Sequence, residues 1–285
     1  MCNLSKLPVY LLPLVCLLGP VHAGTVYEEE VAGTLFQRVE QGEPVWLYAG
    51  GERFLALFTG QLQDQAQGAA IIVHGMGAHP DWPAVVAPVR NLLPAMGWAS
   101  LSIQMPLLDP GEPLADYGKT ISAADDRLRA AIQFLSDRKF LNIAVIGHGF
   151  GAVTAANFLA SERTVVRAFA GVSMQTYEFL NPRLYLDEAL TKIRIPMLDV
   201  YGSADLSEVI MQAQDRGVQV RHDNGLLYTQ ISIDGADHFF TGEQDLLAWN
   251  IHAWLEKVAP ALSLMQDDEA DVVSEDETPS ESVSE

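Results

Sequence analysis

Cysteine is almost missing from this chain. Its two copies, Cys2 and Cys16, fall within the first 23 residues, which also hold a single cation, Lys6, an apolar run over residues 7–18 and a small-residue end at Val21-His22-Ala23. That layout predicts a secretory signal peptide over residues 1–23. Its removal leaves no thiol to serve as nucleophile, metal ligand or disulfide partner. A lipid anchor on Cys16 is the weaker reading, because Val15 stands where a small residue is expected and apolar residues continue past the cysteine. Long apolar runs are missing too: no stretch reaches the roughly 20 residues that cross a bilayer, so no transmembrane segment is expected. Cations are scarce, with 17 Lys and Arg against 37 Asp and Glu and a formal charge of −20. Residues 266–285 hold nine acids, no base and no aromatic ring, leaving about −11 for the rest. Such a segment cannot bury enough surface to offset its ordering entropy, which predicts a disordered acidic tail. It reads first as solvating and second as a docking segment for a basic partner. With no basic patch interleaved with aromatics, nucleic acid is not an expected partner. Residues 24–265 are long enough to build a single domain without covalent staples.

What is present is an alternation of strand and helix patterns. Residues 45–48 and 54–58 flank Gly50-Gly51 as an antiparallel hairpin. Residues 69–73 form a continuous apolar run, as in a strand buried on both faces. A helical stripe follows Pro83 at Val86, Val89, Leu93 and Met96, is closed by Gly97, and leads into a strand over 99–103. Leu128, Ala131, Ile132 and Leu135 repeat the stripe before a strand at 143–146. A small-residue helix over 152–160, strands at 166–172, 197–201 and 227–233, and a helix carrying Leu247, Ile251, Trp254, Leu255 and Val258 complete the pattern. The period predicts an α/β fold: a doubly wound, mainly parallel sheet with helices on both faces. Between Val172 and Pro196 there is room for a small cap only. Trp249 and Trp254 are expected to pack their helix.

The chemistry gathers after strand ends. Gly147-His148-Gly149-Phe150-Gly151 joins a strand to a helix, Asp205 follows the strand at 197–201, and His238 follows the strand at 227–233. A dinucleotide site would need G-x-G-x-x-G and an acid at the end of the next strand, and neither is here. The set resembles the α/β-hydrolase superfamily over roughly residues 45–258. In that superfamily the turn is the nucleophile elbow G-x-S-x-G, and the acid and histidine follow in that order. Gly149 stands in the place of the serine. His74-Gly75-Met76-Gly77 resembles the loop after the third strand that lends one oxyanion donor, so the resemblance implies the amides of Met76 and Phe150 as the oxyanion or anion-binding pair. The strings H-G-M-G-A-H-P-D-W-P and G-W-A-S-L-S-I-Q-M-P are similar to an exported, functionally uncharacterised bacterial branch, which implies a periplasmic location.

A triad needs a hydroxyl, a histidine to take its proton and a carboxylate to hold the histidine. Asp205 and His238 supply the last two, with Asp199 and Asp237 as alternative acids. Glycine at 149 relieves the strain an ordinary side chain would bear at an elbow tip, and leaves backbone donors able to hold an anion. The residues therefore point to a non-catalytic or ligand-binding pseudohydrolase whose partner is a small anionic or acyl ligand. The alternative is an active ester or amide hydrolase using a relocated serine, Ser173 or Ser203, or a water activated by His238. His74, His148 and Ser173 are the pocket candidates. No cofactor is expected, and His74, His148, Asp205 and His238 lack a helical metal-ligand spacing. His79, Asp81 and Trp82 line the pocket mouth in one reading, while in the other Asp81 caps a helix opened by Pro83.

Overall fold

Two runs of short and branched apolar residues, Gly68–Val73 (β3) and Ile143–His148 (β5), lie side by side as parallel strands buried on both faces. The computed structural model describes residues 25–224 and 227–262. The expected signal peptide at 1–23 and acidic tail at 266–285 lie outside the described residues.

Around this pair the chain adds α1 (Thr25–Arg38), β1 (Glu43–Ala49), β2 (Glu52–Thr59), α2 (Val86–Leu92), β4 (Trp98–Ile103), α3 (Ile121–Asp137) and α4 (Phe150–Ser161). It continues with β6 (Val166–Val172), α5 (Leu186–Lys192), β7 (Met197–Gly202), α6 (Ser207–Asn224), β8 (Tyr228–Ile233) and α7 (Gln244–Val258). The strands form one sheet in the order β1-β2-β4-β3-β5-β6-β7-β8. The pairs β1·β2 and β2·β4 are antiparallel and the others parallel. The hairpin and the parallel core therefore follow the expected pattern.

Side-chain alternation decides which helix covers which face. Ala69, Ile71, Val73, Ile143 and Val145 join α3, α4 and α5 in one apolar layer. Ala70, Ile72, Ala144 and Ile146 join α2 and α7 in the other. The stripe from Val86 to Met96 is not one helix: Pro94 cannot donate to an α-helical ladder, and Leu93–Met96 tightens to a 3-10 turn that Gly97 ends at φ +87°. Trp254 is buried as expected, whereas Trp249 stands more than half exposed, meeting His252 edge-on. Helices α1 and α6 and the 3-10 segment Leu114–Thr120 carry no pattern strong enough to mark them beforehand.

Two buried ion pairs fasten these additions. Glu28 of α1 meets Arg127 of α3 at 2.7 Å and accepts from the Leu107 amide, tying the first helix to the sheet. Asp199 of β7 takes Arg216 of α6 at 3.1 and 3.2 Å, the Tyr228 hydroxyl at 2.5 Å and the Gln230 amide at 3.0 Å. Both members of that pair are buried, so removing one leaves an uncompensated charge. Arg216→Met is expected to lower the unfolding free energy by about 3 to 5 kcal/mol, and adding Asp199→Leu to recover part of it, because Tyr228 and Gln230 then lose an acceptor. Urea unfolding of the two variants checks this, and equal loss in both would contradict it.

Candidate active site

The site is assembled at the carboxyl ends of β3, β5, β6, β7 and β8. Strand β5 runs straight into α4 through Gly149, whose φ of +54° and ψ of −119° are ordinary only for glycine. A Cβ on Gly147 would lie 2.5 Å from the Ala152 Cα, and one on Gly151 would lie 2.3 Å from the His74 carbonyl oxygen. The two flanking glycines thus let α4 sit directly on the strand ends. The tip is pinned by the Gly149 amide, which donates to the Val172 carbonyl at 2.9 Å. Phe150 opens α4, where the first amides have no intrahelical acceptor.

Asp205 follows β7 and is buried. Its Oδ1 faces His238 Nδ1 at 2.7 Å and accepts from the Leu206 amide at 2.7 Å, while its Oδ2 accepts from the Ser173 hydroxyl at 2.5 Å. Burial alone would raise this carboxyl, but the hydrogen bonds from His238, Ser173 and Leu206 outweigh it and hold the pKa below the usual value. An ionised Asp205 accepting at Nδ1 fixes the neutral His238 with its lone pair on Nε2, the arrangement of a general base. Of the alternative acids, Asp199 is spent on Arg216, and Asp237 accepts from the Phe239 and Thr241 amides in the turn.

The histidine candidates have supporting places. His148 donates from Nε2 to the His238 carbonyl at 3.1 Å, and its ring lies 5.1 Å from that of His238. Burial lowers it to about 4, so it is neutral at pH 7. His74 is deeper: Nε2 accepts from the Met105 amide at 2.9 Å, which leaves the proton on Nδ1, 2.8 Å from the Gly75 carbonyl. Burial lowers it to about 3. Its two nitrogens join the loop after β3 to the segment that follows β4. Ser173 is fully buried at φ +52°, and its hydroxyl is given to Asp205, so it braces the acid and presents no attacking oxygen. Ser203 bonds Asp234 and the Gly235 amide in an exposed turn.

Met76 belongs to a loop held from two sides. The Gly77 amide donates to the Tyr117 hydroxyl at 2.9 Å, and Asp81 takes the buried Arg90 at 2.5 Å, which itself bonds the Gln41 carbonyl. Asp81 is therefore a loop anchor and not a helix cap, since α2 opens only at Val86. His79 meets Trp82 edge-on at 5.3 Å. Tyr177, which no spacing or motif marks, stands over the elbow: a Cβ on Gly149 would lie 3.3 Å from its hydroxyl. Among the described residues, no group of three or more His, Cys, Asp or Glu side chains could hold a metal ion.

This sheet order, with an elbow after β5 and an acid–histidine pair after β7 and β8, defines an α/β-hydrolase fold. The chain belongs to the family described as "Protein of unknown function (DUF3530)", whose sequence profile matches residues 25–124 and 115–257. No curated protein matches the sequence. Solved structures share the fold. Est1E from Butyrivibrio proteoclasticus is 15% identical, with a TM-score of 0.61 over 75% of this chain and 98% of that one. A dienelactone hydrolase from Anabaena variabilis is 21% identical, with a TM-score of 0.62 over 77% and 98%. An α/β serine hydrolase without a lid from Xanthomonas campestris is 16% identical, with a TM-score of 0.60 over 79% and 98%. At these identities the likeness concerns the fold.

The two buried histidines make stability depend on pH. Each has a folded pKa below its unfolded 6.5, so the unfolded chain binds more protons in the window from 6.5 down to about 4 for His148 and about 3 for His74. Their contribution is complete above pH 6.5 and is lost as pH falls, by about 2 kcal/mol each between pH 7 and 5. His148→Asn is expected to flatten the unfolding free energy against pH over that interval by about that amount. An unchanged slope in urea titrations would show that His148 titrates freely.

Proposed function

We propose that this chain is a non-catalytic α/β-hydrolase-fold protein, exported, in which the elbow and the Asp205–His238 pair hold a small acyl or carboxylate-bearing ligand without cleaving it. The observation that carries the reading is Gly149 at the elbow tip, in backbone geometry suited to a nucleophile, beside a complete acid–base pair. Acyl transfer requires an oxygen or sulfur at that tip within reach of His238 Nε2. Glycine has none, the Ser173 hydroxyl is committed to Asp205, and the Tyr177 hydroxyl beside the tip is a buried, protonated phenol. The amides of Phe150 and Met76 need no side chain to offer donors to a carboxylate.

Water activated by His238 is the second reading, since the Asp205–His238 hydrogen bond is intact. Loss of the nucleophile in such machinery typically costs several orders of magnitude in rate, so that path would be slow. The purified protein is expected to hydrolyse p-nitrophenyl acetate no faster than its His238→Ala variant. Turnover that depends on His238 would overturn the non-catalytic reading. Gly149→Ser restores the missing oxygen to an otherwise assembled site and is expected to give weak esterase activity that disappears on adding His238→Ala. A folded Gly149→Ser protein that stays inactive when Tyr177→Ala is added would show that the base is out of reach of the tip.

A further inference from the structure

The serine's absence is matched by a presence. Apart from its chain neighbours, Gly149 has one described group within 4 Å of where its Cβ would stand, the Tyr177 hydroxyl at 3.3 Å. A contact that short obliges one side to give by a few tenths of an ångström, and φ +54° disfavours any side chain at 149. Glycine is the residue that leaves the tyrosine undisturbed.

Tyr177 is not a loose side chain that happens to lie there. Its ring meets Phe150 edge-on at 5.8 Å and Phe179 at 5.7 Å, and Phe150 in turn meets Tyr117 at 5.5 Å. The chain on either side is fixed: the Thr176 amide donates to the Gln212 side chain of α6 at 2.6 Å, and the Asn181 amide donates to the Ala115 carbonyl at 2.9 Å. Met174, three residues earlier, is buried against Gly171 of β6. The hydroxyl interacts with the Gln175 side chain, and burial pushes the phenol up to about 12, so it stays protonated at any working pH. Gly149 itself is buried beneath it.

We propose that Tyr177 is the residue that controls access to the elbow: seated on Gly149, it fills the space an acyl group would need, and a ligand reaches the tip and His238 Nε2 only when the phenol swings away. The interlock concerns access, so it stands or falls separately from the loss of chemistry. A protein found to hydrolyse esters would still carry the gate, and a gate that fails would leave the chain without a nucleophile.

Two measurements test it. The first is a double-mutant cycle in urea. Gly149→Ala is expected to shift the unfolding equilibrium at least about threefold more in the wild-type background than in Tyr177→Phe, because the phenylalanine lacks the oxygen that the new methyl meets. Equal shifts in the two backgrounds would overturn the interlock. The second does not depend on Gly149→Ala folding. Diethyl pyrocarbonate modification of His238, followed by peptide mass spectrometry, is expected to be about tenfold faster in Tyr177→Ala than in wild type, as the accessible fraction rises. His252, remote from the cap on α7, serves as the internal reference. An unchanged ratio of His238 to His252 modification in a folded Tyr177→Ala protein would overturn the gate.

Discussion

The Asp205 carboxylate is where the strand ends are tied together. It takes the Ser173 hydroxyl from the end of β6, the Leu206 amide from the turn after β7, and His238 from the turn after β8. Parallel strands have no tight turns between them to fix the relative heights of their ends, so a shared acceptor at one end settles what the ladder alone leaves adjustable. A charged acceptor with several donors is also stronger than the same bonds made separately to neutral oxygens. The acid of the site is thus a structural joint as well as a chemical group. Removing it would leave Ser173 and His238 unsatisfied at the same point.

His238 is held just as firmly. His238 is fixed through its ring by Asp205 and through its backbone carbonyl by His148, the residue immediately before the elbow tip. His148 does this as a neutral donor because it is buried, and His74 does the equivalent for the loop after β3 by accepting from Met105. Two of the three histidines around the site are therefore supports. Behind them, Arg127 links the Gln104 carbonyl to Glu28, and the Gln104 side chain lies 3.1 Å from His74 Nε2, so a line of buried polar contacts runs from the first helix to the loop that carries Met76.

Much of this was legible in the residues. Continuous apolar runs such as 69–73 mark strands buried on both faces because water-facing alternation is absent, and the order of elbow, Asp205 and His238 places each at a strand end. The division of labour among the acids was less legible. Asp199 and Asp205 differ by six positions on one strand and its turn, and only the arrival of Arg216 from α6, a helix without a clear apolar stripe, shows that Asp199 is engaged elsewhere. Ser173 reads as a spare nucleophile until its hydroxyl is seen pointing at Asp205. Tyr177 had no signal at all, since a tyrosine in an irregular cap is placed by contacts from Gln212, Ala115 and Phe150 that come from three distant parts of the chain. Local pattern carries periodicity, and it carries little about which loop side chain lands on which backbone.

The close seating of α4 has a wider bearing. Glycines at 147 and 151 are demanded by contacts of 2.5 Å and 2.3 Å that any larger residue would make with Ala152 and with the His74 carbonyl, and neither contact involves the chemistry of the tip. The spaced glycines are consequently a signature of how a helix is berthed against a sheet. Neither berthing contact depends on the side chain at the position between them.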